Sequence, residues 1–419
     1  MFFFALPDKI TGSNFHQTDS IAMNPFTLQE LERYRALFPV TRNFVYLNHA
    51  AVAPLSLNTA DAIAHFTEQA LHLGYTAGPE WHARMEGVRE KSATLVGAKP
   101  SEIAFTKNTS HGISLIVRGI KWKPRDEIII SDVEFPANVY PWMSLEPMGV
   151  ILKKIPCEKG ELQLDRLRTL VTSRTRLVSL SSVQYGNGYR LPLAEVGKFC
   201  RERGIYFLVD AIQSLGAFPL DVQRSSIDFL TADAHKWMLG PEGIGIFYMR
   251  EDLIEKIEPT LLGWNSVMDP LSFDKIDFTL RKDAKRFEEG SHNTLSLYAL
   301  DGCLDLLFQV GVDRIAERIL YLTDLLIQGL QALKLNVTCS LKPEYRSGIV
   351  TFQIHGDEKG KKLAQLERHL FSQKIYASVR RGNLRISPHF YNSEEEIQTA
   401  LDHIAQFLHA SSPTPAFSS

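Results

Sequence analysis

The chain has 419 residues, enough for one or two domains with a large buried core. Apolar residues make up 44% and charged residues 22%, as in soluble globular proteins, and the net charge of -2 argues against nucleic acid or an anionic membrane as a main partner. No apolar run approaches the roughly 20 residues that a bilayer-spanning helix needs, so no membrane partner is expected.

The two ends of the chain differ from its middle. Residues 1–23 begin with a short apolar run that lacks a basic start and meets Pro7, so they are predicted as a flexible extension and not a signal peptide. Residues 24–40 are predicted to form a helical segment that packs against a small C-terminal domain. Residues 411–419 are polar and proline-rich and are predicted to be disordered.

The first apolar strand, residues 45–47, leads directly into small and polar residues. Asn48 and His49 stand at its end and are candidate substrate-binding residues, although a core role would give the same pattern. Helices are predicted at residues 57–73 and 80–96.

A polar turn joins the strand predicted at 102–106 to the helix that follows. Thr109 and Ser110 stand where that helix begins, and a helix start offers free N–H groups and a positive dipole end. These features favour an anion site. Simple capping by a hydroxyl residue would leave the same sequence.

Strands at 126–130, 176–180 and 205–209 alternate with helical segments. This alternation predicts a mostly parallel sheet covered by helices on both faces. Such sheets bind ligands beyond the carboxyl ends of their strands. Polar or aromatic residues follow these strands, including Phe135 beside a proline and Asp210 directly after an apolar run. The sequence therefore predicts one site at this edge of the sheet.

One lysine, Lys236, lies between two apolar strands in the segment 228–248. A buried lysine loses its proton easily, and its neutral amine can form a Schiff base. An exposed turn lysine is equally compatible with this position.

These residues together fit pyridoxal phosphate. Thr109–Ser110 would hold the phosphate, Lys236 would form the Schiff base, and Phe135 would stack on the ring. Asp210 would pair with the pyridine nitrogen and keep the ring an electron sink, although a helix-capping role is equally compatible with its position. Gln213 could reach the ring hydroxyl. No metal is expected, because the four cysteines have no metal-binding spacing, and they also indicate a reducing, cytoplasmic compartment.

The pattern changes after residue 285. Apolar residues at helical spacing predict one long helix over 294–333. Shorter strands and helices follow, at 348–352, 359–373, 375–379, 384–387 and 393–409. We therefore predict a large cofactor-binding domain at 41–285 and a small α+β domain at 286–410.

Several motifs resemble those of a known family. They are Val209-Asp-Ala-Ile-Gln-Ser214, Ala234-His-Lys-Trp237, Arg286-Phe-Glu-Glu-Gly-Ser-His-Asn-Thr294 and Arg385-Ile-Ser-Pro-His-Phe-Tyr-Asn392. The chain resembles the class V aminotransferase superfamily of fold-type I pyridoxal phosphate enzymes from about residue 46 to 407. That superfamily includes cysteine desulfurases, selenocysteine lyases and isopenicillin N epimerases.

The resemblance implies a role for each matching residue. It makes Lys236 the Schiff-base lysine, gives Asp210 and Gln213 to the cofactor ring, and gives His235 to the phosphate. Gly290-Ser291 resembles the pair that reaches the phosphate of a neighbouring subunit, which implies a homodimer with shared active sites. Arg385 resembles the arginine that binds the substrate carboxylate.

The chain departs from the desulfurase pattern in ways that bear on the reaction. Phe135 stands where desulfurases have a histidine, and no cysteine precedes Arg385 to accept sulfur. Asp233 stands where many relatives have a phosphate-binding serine. The resemblance implies amino-acid chemistry through a Cα carbanion, with epimerisation, C–S lysis and transamination open. Desulfurase or selenocysteine lyase-like activity, or a non-catalytic cofactor-binding protein, are the alternatives.

Overall fold

The computed structural model describes residues 24–158, 160–357 and 359–410. The predicted extension at 1–23 and the predicted tail at 411–419 lie outside the described residues. The described strands, in chain order, are β1 (Val45–Tyr46), β2 (Ile103–Thr106), β3 (Glu127–Ser131), β4 (Ile151–Ile155), β5 (Thr175–Ser181), β6 (Tyr206–Asp210), β7 (Phe229–Asp233), β8 (Gly245–Met249), β9 (Asn336–Val337), β10 (Val350–Gln353), β11 (Ile375–Tyr376), β12 (Ser378–Arg380) and β13 (Asn383–Ile386).

Helices account for much of the remaining chain. They are α1 (Leu28–Ala36), α2 (Leu57–His72), α3 (Gly78–Val96), α4 (Thr109–Gly119), α5 (Tyr140–Met143), α6 (Leu164–Leu170), α7 (Leu193–Arg201), α8 (Thr294–Val310), α9 (Val312–Ala332), α10 (Lys361–Ser372) and α11 (Glu394–Ala410).

The large sheet has seven strands in the order β2–β8–β7–β6–β5–β3–β4. Strands β3 to β7 pair in parallel, whereas β8 runs antiparallel to both β7 and β2. Alternate residues of the inner strands enter different hydrophobic clusters, for example Val209 in one and Leu208 in the other. The sheet is therefore buried on both faces, which confirms the predicted α/β fold with a mostly parallel sheet.

A smaller antiparallel sheet, in the order β12–β13–β10–β9, forms the second part of the molecule. Its apolar side chains pack with α9, α10 and α11 in a separate hydrophobic cluster. Strand β1 pairs in parallel with β11, so the start of the chain is tied to this region. Helix α1 begins with a capping box formed by Thr27 and Glu30.

The predicted helix over 294–333 is two helices. It breaks at Gly311, whose φ of 89° ends α8, and the two helices are bent by 77°. The apolar residues of α8, such as Leu300 and Leu304, join the core of the large sheet. The boundary predicted at 285/286 stays a prediction, but the hydrophobic core of the large sheet extends past it through α8.

No single helix of the described residues is long and apolar enough to cross a bilayer. Only the bent pair α8–α9 has, by length and composition, what a broken membrane span would need. Both helices of that pair bury their apolar residues within the protein.

Candidate active site

A lysine and an aspartate face each other at one edge of the large sheet. Asp210 ends β6, and Lys236 follows the end of its parallel neighbour β7, so both lie at the same edge. Burial lowers the pKa of Lys236 to about 8, and the negative charge of Asp210 opposes that shift. Burial likewise raises the pKa of Asp210 to about 7, against the N–H of Ile212 and the charge of Lys236. The pair is placed as the sequence predicts.

Gln213 has a structural role that the sequence did not show. Its side-chain N–H donates to the carbonyl of Ala50 at 3.0 Å, and its Oε1 accepts from the indole N–H of Trp237 at 2.9 Å. The amide therefore connects the loop after β1 to the turn that carries Lys236. A second N–H of the amide remains for the predicted contact with the ring oxygen.

The start of α4 is the place where the sequence predicts an anion site, and anion binding there stays a prediction. Asn108 caps the helix by accepting from the backbone N–H of His111 at 2.9 Å. The Thr109 hydroxyl accepts from the backbone N–H of Asp233 at 3.2 Å, whereas Ser110 is exposed to solvent. The helix start and the end of β7 are thereby held together, with the Ser110 hydroxyl open to a ligand.

A histidine stands close to the acid at position 233. Asp233 Oδ1 lies 3.1 Å from His235 Nδ1, but the geometry is not that of a hydrogen bond, and neither atom has another partner among the described residues. This contact lies where relatives carry a phosphate-binding serine. It leaves His235 Nε2 as the atom available to the predicted phosphate.

An aromatic ring covers the lysine. The ring centroid of Phe135 lies 5.7 Å from Lys236 Nζ and 5.1 Å from the ring of Tyr185, and 44% of the Phe135 side chain is exposed. This exposed ring beside the lysine fits the predicted stacking on a cofactor.

The loop that holds Phe135 is anchored by Glu134, which the sequence analysis did not assign. This buried carboxylate accepts from Ser131 Oγ at 2.9 Å, Asn138 Nδ2 at 3.0 Å, the Ser181 backbone N–H at 3.1 Å and Gln184 Nε2 at 2.9 Å. A glutamate between a strand and a proline gives no sequence signal for such a network, because its donors come from other parts of the chain.

Arg385 is buried without an acidic partner. Only 2% of it is exposed; Nη1 donates to the Tyr185 carbonyl at 3.0 Å and Nη2 to Asn48 Oδ1 at 3.4 Å. Its Nε has no hydrogen-bond partner among the described residues, and burial together with the charge of Arg380 lowers its pKa to about 10. A buried cation of this kind favours an anion beside it, and the contact of Arg385 with a substrate carboxylate stays a prediction.

The predicted substrate contact of His49 is corrected. The ring is fully buried; Nδ1 donates to the Ser387 carbonyl at 2.9 Å, and Nε2 accepts from the Tyr391 hydroxyl at 2.7 Å. Burial lowers the pKa of His49 to about 4, so the ring stays neutral. Both nitrogens are engaged, so His49 has a structural role, whereas its neighbour Asn48 does contact Arg385.

Ser291 lies on a different surface of the same chain. It lines a cavity of about 310 Å³ together with Lys107 and His111, close to the start of α4. The contact with a neighbouring subunit's phosphate stays a prediction.

Pyridoxal phosphate fits the residues present. Some buried polar atoms near Arg385 have no hydrogen-bond partner among the described residues, as expected where a polar ligand completes a site. They are Asn48 Nδ2, Gln184 Oε1 and Arg385 Nε. Within the described ranges no group of three or more metal-binding side chains occurs.

Comparison with known proteins agrees with this geometry. The family model described as aminotransferase class-V matches residues 45–401. A probable cysteine desulfurase of Methanothermobacter thermautotrophicus is 28% identical, over 88% of this chain and 95% of its own. A cysteine desulfurase of Klebsiella pneumoniae is 34% identical, over 77% of this chain and 82% of its own.

A solved structure shows the same fold. The cystine C–S lyase C-DES, in complex with its reaction product cysteine persulfide, superimposes with a TM-score of 0.82 at 26% identity. The match covers 88% of this chain and 99% of that one.

Proposed function

The chain belongs to the class-V aminotransferase family and uses pyridoxal phosphate to act on an amino acid, and we propose that its reaction is elimination of a sulfur substituent from the β-carbon. The bound cofactor supplies an electron sink that makes the α-proton of the substrate acidic.

The observation that carries this proposal is Arg385, which is buried close to the Lys236–Asp210 pair and has no acidic partner among the described residues. The residual donors of Arg385 fit a substrate carboxylate, with Asn48 beside it. Lys236, with its pKa lowered to about 8, is suited to accept the α-proton near neutral pH. The ring of Phe135 lies next to the lysine amine, with its centroid 5.7 Å from Nζ.

The absence of a usable thiol favours elimination over sulfur relay. Strands β12 and β13 are joined by the two residues Arg381 and Gly382, and neither is a cysteine. All four cysteines of the chain lie elsewhere, and burial raises the pKa of each; for Cys157, Cys200 and Cys303 the value is about 12. A protonated thiol is a poor sulfur acceptor. The C–S lyase named above provides a precedent for elimination on this fold.

The same geometry bears on epimerisation. Epimerisation by two bases requires a proton-carrying group on each face of Cα. Lys236 is the one base that we assign. Phe135, which stands where desulfurase-like relatives have a histidine, carries no proton to act as the second.

We also propose a cytoplasmic homodimer. Its support is the set of free cysteines and several large apolar side chains that are more than two-thirds exposed, namely Leu71, Tyr75, Leu271, Phe273, Ile276 and Phe278. A protein surface of this kind marks an interaction site.

The test is the product formed from an S-alkyl-L-cysteine by the cofactor-loaded enzyme. Elimination releases the alkyl thiol, pyruvate and ammonia, and Lys236→Ala should slow this at least about 100-fold. In a parallel assay with L-cysteine, alanine formation with sulfur passed to a thiol acceptor would show a desulfurase instead. Formation of the D-enantiomer or of pyridoxamine phosphate, without pyruvate, would likewise overturn the proposal.

A further inference from the structure

A large cavity lies beside the candidate site. It measures about 590 Å³ and separates the small sheet from loops of the large one. Polar residues line it on both sides, and apolar residues such as Val133, Val337 and Leu341 also contribute. The polar lining residues include Asn336, Thr338, Gln353 and Asn383 on one side and Gln184, Asn187 and Glu161 on the other. Pockets of this size hold ligands much larger than cysteine.

The small-sheet wall of the cavity belongs to the same sheet face as Arg385. Strands β9, β10, β12 and β13 alternate apolar and polar residues, and the apolar ones enter the core with α9–α11. We call the other side the polar face; it carries Asn336, Thr338, Thr351, Gln353, Ser378, Arg380, Asn383 and Arg385.

Register and hydrogen bonds connect this face. Thr351 lies opposite Arg385 across the β10–β13 pair. The Thr338 hydroxyl is 2.9 Å from Thr351 Oγ1 and 2.8 Å from Asn383 Oδ1. The cavity wall is therefore continuous with the residue that is proposed to bind the substrate carboxylate.

Two further arginines stand at the tip of the β12–β13 hairpin. Arg380 pairs with Asn383 in register and donates to the neighbouring Val379 carbonyl at 2.8 Å. Arg381 lines the cavity, and its side chain covers Gly186 so closely that a Cβ there would come within 2.9 Å of Arg381 Cδ. Neither arginine lies within 4.0 Å of an acidic group in the part of the chain that the structure describes.

The positive charge of this tip reaches the site. Arg380 contributes to lowering the pKa of both Lys236 and Arg385. Glu161, the acidic residue among those lining the cavity, stands on the opposite wall. An anion is therefore favoured on the hairpin side of the cavity.

We propose that this cavity receives the far end of the substrate and that Arg381, assisted by Arg380 and the polar face, binds an anionic group there. The substrate class is then an S-substituted cysteine whose sulfur substituent ends in a carboxylate. The identification of the substrate rests on the proposed elimination reaction. The preference of the cavity for an anionic group does not, because it can be measured as ligand binding.

Binding is tested with ligands that cannot react because they lack the α-amino group. The cofactor-loaded enzyme is titrated calorimetrically with 3-(carboxymethylthio)propanoate and with 3-(propylthio)propanoate, which differ in the charge at the far end. We expect the dicarboxylate to bind about tenfold more tightly, since hydrogen bonds to charged groups have this order of strength. Arg381→Gln should remove the difference and leave binding of the monocarboxylate unchanged.

Matched variants separate this effect from general charge and from misfolding. Arg381→Lys should retain part of the preference, and Arg368→Gln, an exposed arginine on α10, should retain all of it. Asn383→Asp adds a negative charge to the polar face and leaves Arg381 in place. It should weaken binding of the dicarboxylate. Cofactor absorbance confirms that each variant is folded.

The outcomes are distinguishable from those that test the reaction. Equal affinity for the two ligands in the unaltered enzyme, or a preference that survives Arg381→Gln, overturns the inference. If the preference is present but neither S-(carboxymethyl)-L-cysteine nor S-propyl-L-cysteine yields pyruvate, the anion site stands and the elimination reaction is the part that fails.

Discussion

Two buried arginines of this protein have opposite surroundings. Arg89, 1% exposed, holds both oxygens of Glu288 at 2.7 and 3.1 Å and also donates to the Ile103 carbonyl. Arg385, 2% exposed, meets only a carbonyl and an amide oxygen. Burial acts to lower the pKa of Arg89, but the charges and hydrogen bonds of Glu288 and Glu86 together raise it, whereas burial lowers the pKa of Arg385.

This difference distinguishes a structural charge from a functional one. A buried cation is costly unless a negative charge pairs with it, and Glu288 supplies that charge for Arg89. No acidic side chain of the described residues pairs with Arg385, so the carboxylate of a substrate could pair with it. An uncompensated buried charge beside a lysine of lowered pKa is therefore the most informative sign of function in this chain.

The largest effect is expected where the compensated pair is broken. Glu288→Gln leaves Arg89 buried without its counter-charge and should lower the free energy of unfolding by about 3–5 kcal/mol. Urea unfolding of the cofactor-loaded protein measures this. The control is Glu86→Gln, because Glu86 lies 3.4 Å from Arg89 but is partly exposed. A loss for Glu288→Gln no larger than that for Glu86→Gln would contradict the comparison.

A smaller effect, of a different kind, is expected at the unpaired arginine. Arg385→Leu should raise the KM for the amino-acid substrate roughly 10- to 100-fold through loss of a charged hydrogen bond. The stability should be unchanged or higher, because no buried acid loses its partner. Arg318→Leu is the matched control, since Arg318 is also buried but pairs with Glu394 at 2.6 Å. Equal destabilisation by the two replacements would remove the distinction.

The smallest effect concerns the pH dependence of cofactor uptake. The pKa of Lys236 is lowered to about 8, so its reactive neutral form grows as pH rises and levels off above that value. The uptake rate of the cofactor-free protein should increase roughly tenfold between pH 7 and 9. An ordinary lysine would give a rise that continues past pH 10.

Stopped-flow absorbance measures that rate. Asp210→Asn should shift the midpoint to lower pH, because the charge of Asp210 favours the protonated lysine. A midpoint that stays unchanged in this variant would show that the two side chains do not interact.

Much of the fold and part of the site follow from local sequence. Period-two and buried apolar runs marked the strands of the large sheet, and residues such as Asp210 followed directly at their ends. The role of Lys236 was predicted from the residues around it, whereas that of Arg385 came from the family resemblance alone. The structure adds that the two residues lie close enough for the charge of Arg385 to affect the pKa of Lys236. The contacts of these site residues with a bound cofactor stay predictions.

The contacts that the sequence did not predict join residues that are far apart in the chain. The partners of His49 lie 338 and 342 residues away, so no local pattern could show that its ring is saturated. Glu134 likewise accepts hydrogen bonds from residues on separate strands, such as Ser131 and Ser181. The break at Gly311 was hidden because apolar residues keep helical spacing on both sides of it.

The hairpin tip at Arg381 and Gly382 also bears on how this enzyme could acquire a new reaction. Both residues have positive φ, 47° and 72°, and the connection has no spare length. Lengthening a surface loop adds only about 0.6 kcal/mol of closure entropy for each doubling, so an insertion there would be tolerated. A cysteine carried on such an insertion would stand in the loop before Arg385, which is the place that the desulfurase pattern in the sequence gives to the sulfur acceptor. Sulfur relay and the proposed elimination would then differ by a few residues of loop, on an unchanged scaffold.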